Sequence, residues 1–133
     1  METKQLDIDT SSRRVIDLTP DVKAFCDGMG DGLLSVFVPH STAGLAIIEM
    51  GSQSDVDLEA VLNCLLPRDA AYAHSHGSQG HGADHLLPAF LAPSIMVPVK
   101  DGRPLLGVWQ SITFVDLNAD NPRRRVHLSF IAG

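Results

Sequence analysis

The sequence predicts an α+β domain, a mainly antiparallel sheet or sandwich carrying two or three helices. Three observations carry that expectation. Several short stretches are apolar or alternate with period two, residues 55–66 carry an amphipathic stripe, and Asp101-Gly102 is a hairpin signal near the C-terminal end.

Residues 4–9 alternate, with Leu6 and Ile8 between polar neighbours, and predict a half-buried first strand. Thr10-Ser11-Ser12 turns the chain, and Arg13 to Leu18 resumes an extended pattern. Thr19-Pro20 predicts a helix start, a hydroxyl N-cap followed by proline where its missing N–H has no consequence. Gly28-Met29-Gly30 ends that helix. Leu33 to Val38 and Ala43 to Glu49 predict two strands, interrupted by Pro39-His40-Ser41-Thr42. Asp55 to Leu66 places apolar residues at 58, 61, 62, 65 and 66, the stripe of a helix, with Ser54 as its cap. Pro67 stops it. The polar, histidine-rich residues 68–82 read as a long functional loop. Ala83 to Leu91 predicts a short helix made irregular by Pro88. Ser94 to Val99, Leu105 to Val115 and Arg124 to Ile131 predict the remaining strands, with a loop at Asn118 to Pro122.

No repeat or linker divides the 133 residues, so residues 1–133 form one domain, long enough to bury a core without disulfide or metal staples. A net charge of -6 disfavours nucleic acid and anionic membrane surfaces as partners; a small phosphorylated molecule meeting a local basic patch is not excluded. No stretch approaches the roughly 18 apolar residues of a membrane span, and the opening Met1-Glu2-Thr3-Lys4-Gln5 lacks the basic and apolar regions of a secretory leader. Cys26 and Cys64 lack metal-site or redox spacing and are expected to be buried free thiols in a reducing cytoplasm.

Six histidines are present, and His74, His76, His81 and His85 fall within twelve residues. Neutral imidazole is the commonest transition-metal ligand. His40, at a strand break, His74, on the loop, and His85, near a helix start, occupy positions where sites are usually built. His76, His81 and His127 read as polar surface.

Three ordered segments then resemble a known family. Pro39-His40-Ser41-Thr42-Ala43-Gly44-Leu45-Ala46-Ile47-Ile48-Glu49 resembles the first motif of the YjbQ family, also called UPF0047 or secondary thiamine-phosphate synthase. Tyr72-Ala73-His74, followed after ten residues by His85, is similar to its second motif. Asp101-Gly102-Arg103, Leu106-Gly107-Val108-Trp109-Gln110, Asp116 and Arg123-Arg124-Arg125 resemble its ending. The resemblance spans essentially the whole chain. It implies an α+β sandwich-like fold, a homotrimer, a cytoplasmic protein and a thiamine-phosphate synthase activity, joining a pyrimidine diphosphate to a thiazole phosphate. It also maps the family's histidines onto His40, His74 and His85, its acidic residue onto Glu49, and its Trp-Gln pair onto Trp109 and Gln110. Two positions depart: Met50 replaces the asparagine after the glutamate, and Asp116 replaces a later glutamate with a shorter side chain.

Three neutral imidazoles leaving a coordination position open suit zinc, whereas magnesium prefers carboxylate and water oxygens. A divalent metal at His40, His74 and His85 is therefore expected, zinc or magnesium. Glu49 serves as general base, as an orienter of a histidine, or as a strand-end carboxylate paired with an arginine; Asp57 reads as solvated helix face. Arg123 and Arg125 carry guanidinium forks suited to phosphate, or else form a solvated edge. Trp109 either stacks on a heteroaromatic ring or fills core. Ser41 and Thr42 offer hydroxyl donors to an oxyanion. Three functions remain open on this basis: the synthase, a metal-water hydrolase on a phosphorylated small molecule, and a non-catalytic module binding such a ligand.

Overall fold

The computed structural model describes residues 1–133. In chain order the elements are β1 (Glu2–Asp9), β2 (Val15–Asp17), α1 (Thr19–Cys26), β3 (Gly32–Phe37), β4 (Gly44–Ile48), α2 (Ser54–Leu65), α3 (His81–Phe90), β5 (Ser94–Lys100), β6 (Arg103–Pro104), β7 (Ser111–Val115) and β8 (Arg123–Ala132). Every strand pairing is antiparallel, giving a five-stranded sheet in the order β1-β8-β3-β5-β6 and a three-stranded sheet in the order β2-β7-β4. The α+β class read from the sequence is the observed one.

Alternation explains how the layers meet. In the five-stranded sheet, Leu6, Leu34, Val36, Val97, Val99, Val126, Leu128 and Phe130 point inward, where they join Leu45, Ile112 and Phe114 of the smaller sheet and Val22 and Phe25 of α1 in one core. β7 is buried on both faces. Its Ile112 and Phe114 enter that core, while Val115 faces a second cluster with Val15, Leu62, Leu66, Ala83 and Leu87. The small sheet is thus a middle layer between the large sheet and helices α2 and α3. Gly44 sets this spacing: any Cβ there would collide with the Leu91 carbonyl oxygen, and the neighbouring Leu45 N–H donates to Ala92 O at 2.9 Å. The C-terminal end of α3 is thereby pinned to β4.

The Asp101-Gly102 hairpin is present between β5 and β6, with φ of 49° and 73° at its two turn residues. Both lie in the left-handed region that a primed two-residue turn requires. The long strand expected over Leu105 to Val115 is not formed. The chain leaves the large sheet after Pro104 and enters the small one at Ser111, and residues 105–110 make the crossing, braced by Gly107 N–H donating to Gln110 Oε1 at 2.7 Å. Apolar runs report burial and extension, but not a change of sheet partner.

The extended pattern over Arg13 to Leu18 shrinks to Val15–Asp17. Both expected hydroxyl caps also fail. Helix α1 already includes Thr19, whose N–H donates to Asp17 Oδ1 at 2.9 Å and whose Oγ1 accepts from Ile112 N–H at 2.9 Å. The hydroxyl ties helix to sheet instead of capping. Helix α2 begins at Ser54 after Gln53 in the left-handed region, without a side-chain cap.

Candidate metal centre

The loop between α2 and α3 is held at several points. Tyr72 Oη donates to Pro67 O at 2.6 Å, Ser78 N–H donates to Asp120 Oδ2 at 3.0 Å, and Arg68 makes a two-pronged ion pair with the buried Asp84, Nη1 to Oδ1 at 2.7 Å and Nη2 to Oδ2 at 3.0 Å. Gly82 lets the loop lie against α3: a Cβ there would press on Tyr72 and on the side chain of His74. Four imidazoles meet in consequence. The ring centroids of His74 lie 3.9 Å from those of His76 and 4.3 Å from those of His85, and the His81 and His85 rings stand perpendicular at 4.7 Å.

His74, His76 and His85 each present a ring nitrogen such that all three lie within 4.8 Å of one another. His74 and His85 are half-buried and His76 is exposed. His74 Nδ1 is buried and has no hydrogen-bond partner. An orphaned buried nitrogen is uncommon, because a lost partner carries a desolvation penalty; a cation would satisfy it. Burial holds His74 below the ordinary histidine pKa of 6.5, with the charges of His76 and His81 adding to the effect. Burial likewise holds His85 below 6.5, helped by His74, His81 and His76. Both directions favour neutral imidazole, the form that ligates a metal. The donors are all nitrogen, which suits zinc or a similar transition ion and not magnesium. A cleft of about 290 Å³ opens beside the trio, lined by Tyr72, His74, His76 and His81 among others.

His74 and His85, named from the sequence, are therefore brought together. His40 is not part of the cluster within one chain. It follows β3, whose pairing with β8 ends at Phe37 opposite His127, and its Nε2 accepts the Arg125 backbone N–H at 2.9 Å. Burial, then the charges of Arg124 and Arg125, hold its pKa below 6.5. Within the chain His40 extends the hydrogen bonding of β8 one step beyond the end of β3.

The other expected residues distribute as follows. Glu49 is half-buried just past β4, and Ser41 is exposed. Thr42 is buried, its Oγ1 accepting from Arg124 Nη2 at 2.7 Å. Arg123 and Arg125 are exposed on β8, while Arg124 between them turns inward. Trp109 is 71% exposed in the crossing loop, so it does not fill core, and Gln110 is exposed and engaged with Gly107. Asp57 lies on the exposed side of α2.

Sequence reasoning missed two features. His76 was set aside as surface, although its place two residues after His74 on a tethered loop brings its ring to the trio. The second is a buried network in which Arg124 Nε and Nη2 donate to Asp116 at 2.7 and 3.2 Å, with Thr10 Oγ1 donating to the same carboxylate at 2.9 Å. The alternation of Arg123, Arg124 and Arg125 along a strand is the signal that one of them must turn inward. Met50 packs against the second apolar cluster, so an apolar side chain suits that position.

A three-layer α+β domain of two antiparallel sheets, with an imidazole cluster on the loop beside its two packed helices, defines the class of protein. The chain belongs to the UPF0047 family of YjbQ-like proteins, whose family model, described as "UPF0047 protein YjbQ-like", matches residues 4–133. It is 65% identical over 133 residues to a UPF0047 protein of Mycobacterium tuberculosis, covering all of both chains. It is 38% identical over 135 residues to a UPF0047 protein of Methanothermobacter thermautotrophicus, covering 98% of this chain and 92% of that one. Among solved structures, the hypothetical protein APE1520 of Aeropyrum pernix superposes with a TM-score of 0.89 at 30% identity, covering 100% of each chain.

Proposed function

We propose that this chain is a metal-dependent enzyme acting on a small phosphorylated substrate, with a zinc-like ion held by His74, His76 and His85. One observation carries the reading: three ring nitrogens lie within 4.8 Å of one another, and one of their imidazoles has a buried nitrogen without a partner. When bound, such an ion supplies Lewis acidity, polarising a phosphoryl or water oxygen. The chain's own contribution is positional. His74 and His85 present neutral nitrogens from a tethered loop and a helix, and the neighbouring cleft gives a small ligand access. Glu49, the acidic residue the family resemblance points to, is the general base of this reading; it is half-buried and, like the exposed Ser41 and Trp109, does not line the cleft beside the trio.

Hydrolysis of a phosphorylated small molecule fits the all-nitrogen donor set better than the synthase reaction does, because pyrophosphate departure ordinarily uses magnesium. The synthase remains the second reading. It draws on the exposed guanidinium groups of Arg123 and Arg125, which suit a diphosphate leaving group but line their cleft together with the carboxylates of Asp7 and Asp9. In either case we propose a cytoplasmic homotrimer. Cys26 is buried and Cys64 is exposed, not buried as expected, and both are unpaired, which supports a reducing compartment; the outer face of the large sheet exposes Leu33, Phe37, Met96 and Ile131 for association.

The test is turnover of a panel of phosphoesters, and of the pyrimidine diphosphate and thiazole phosphate pair, by tag-free protein with and without added zinc. Zinc-dependent hydrolysis abolished by His85→Ala supports the leading reading. Zinc-independent synthase turnover that survives His85→Ala overturns it, and tight ligand binding without turnover makes the chain a binding module.

A further inference from the structure

We infer that His81, outside the trio, is a further ligand of the same ion, so that helix α3 binds it through His81 and His85 one turn apart. The inference rests on the proposed centre at His74, His76 and His85. His81 is buried, at 8% exposure, and its two ring nitrogens face different surroundings. Nδ1 lies 3.1 Å from Asp84 Oδ2 and 3.2 Å from Asp120 Oδ2. Arg68 fixes Asp84 from the other side through both carboxylate oxygens. Two carboxylate oxygens can only accept, so the Nδ1 proton is held there. In the neutral ring, Nε2 is then the lone-pair nitrogen.

That nitrogen faces His85 Nε2 at 3.2 Å. Two nitrogens bound to one tetrahedral zinc at about 2.0–2.1 Å stand roughly 3.3–3.4 Å apart. The observed separation is thus close to that between two ligands of one ion. Without a metal, a proton on one of the two nitrogens satisfies the contact; a cation takes that proton's place. Two histidines four residues apart lie on the same face of a helix, the spacing by which helical metal sites pair their imidazoles. A carboxylate on the far nitrogen of a ligating histidine is the usual support of such a ligand, fixing its tautomer and ring orientation. His81 has two. His76, by contrast, is exposed on the loop.

The experiment titrates tag-free protein with Co²⁺ and Zn²⁺, comparing the wild type with His81→Asn and His76→Asn. His81→Asn is expected to weaken binding by more than the roughly 10–100-fold that loss of an outer-shell partner brings, and to change the visible Co²⁺ spectrum. Unchanged affinity and spectrum in folded His81→Asn overturn the inference and leave the trio standing. A wild type that binds neither ion overturns the trio and the inference together. Should His81→Asn fail to fold, the ring ¹⁵N spectrum of the wild type decides. A zinc-induced shift of His81 Nε2, with its Nδ1 proton retained, supports ligation; an unmoved Nε2 overturns it.

Discussion

At the residue scale the chemistry of the centre turns on which imidazoles stay neutral. His74 and His85 have folded pKa values below 6.5, chiefly through burial. Between the folded and the unfolded values the unfolded chain binds more protons, so stability rises with pH across that interval. Their contribution is fully present above about 6.5 and is lost as the pH falls through the folded values. The melting temperature of the metal-free protein should hold from pH 8 to 7 and decline from pH 6.5 toward 5, with a smaller decline in the His74→Asn, His85→Asn double variant. An equal decline in both would place the sensitivity elsewhere. The orphaned His74 Nδ1 gives a second expectation: zinc should raise the wild-type melting temperature and leave that of His74→Ala unchanged.

At the level of elements, the buried Arg124–Asp116 pair joins β8 to the chain just past β7. Asp116 is shorter than the glutamate expected there, yet it reaches Arg124 Nε at 2.7 Å. Asp116→Ala strands a buried guanidinium and should destabilise the fold by about 3–5 kcal/mol, read by urea denaturation. A loss below about 1 kcal/mol would mean that water or another partner replaces the carboxylate. In the β5–β6 hairpin, Gly102→Ala should be destabilising by more than about 1 kcal/mol, read by urea denaturation, because its φ of 73° disfavours a Cβ and that Cβ would press on the backbone at Gly28 and Cys26.

The same elements show what the sequence made legible. The strands of the large sheet were readable because Leu6 and Ile8, or Val126 and Leu128, alternate with polar neighbours, as burial on one face requires, while Leu33 to Val38 stands out as a short apolar run. The hairpin was readable because Asp101-Gly102 reports backbone conformation directly. The break before Trp109 was not, since an apolar run looks alike whether it continues one strand or crosses between sheets. His74 and His85 stood out by position. His76 and His81 did not, because their proposed role depends on the loop being folded back, and two of its ties, Arg68 to Asp84 and Ser78 to Asp120, span 16 and 42 residues. His40 shows the converse: its motif drew attention, and only the structure shows its ring nitrogen accepting from a strand amide.

Across the whole molecule, exposed apolar side chains include Leu33, Phe37, Met96 and Ile131 on the outer face of the large sheet and Val56, Val61 and Leu65 on α2. For the proposed homotrimer, light scattering should give a mass about three times the 14.3 kDa of the chain. Phe37→Glu together with Ile131→Glu, both exposed in the single chain, should reduce that mass to the monomer's if the sheet face is the interface. An unchanged mass would assign the interface to another surface. Because His40 and Arg125 adjoin one end of this sheet, a metal-loaded crystal also shows whether they approach a neighbouring subunit's centre.

The central claim is that the loop between α2 and α3 and the start of α3 form a metal site. The most direct measurement is an anomalous difference map, collected at the zinc edge, from crystals of tag-free protein grown with zinc. The expected result is one strong peak per chain within about 2.0–2.2 Å of ring nitrogens of His74 and His85. A map with no peak at these histidines, in crystals that bind zinc elsewhere, would contradict it.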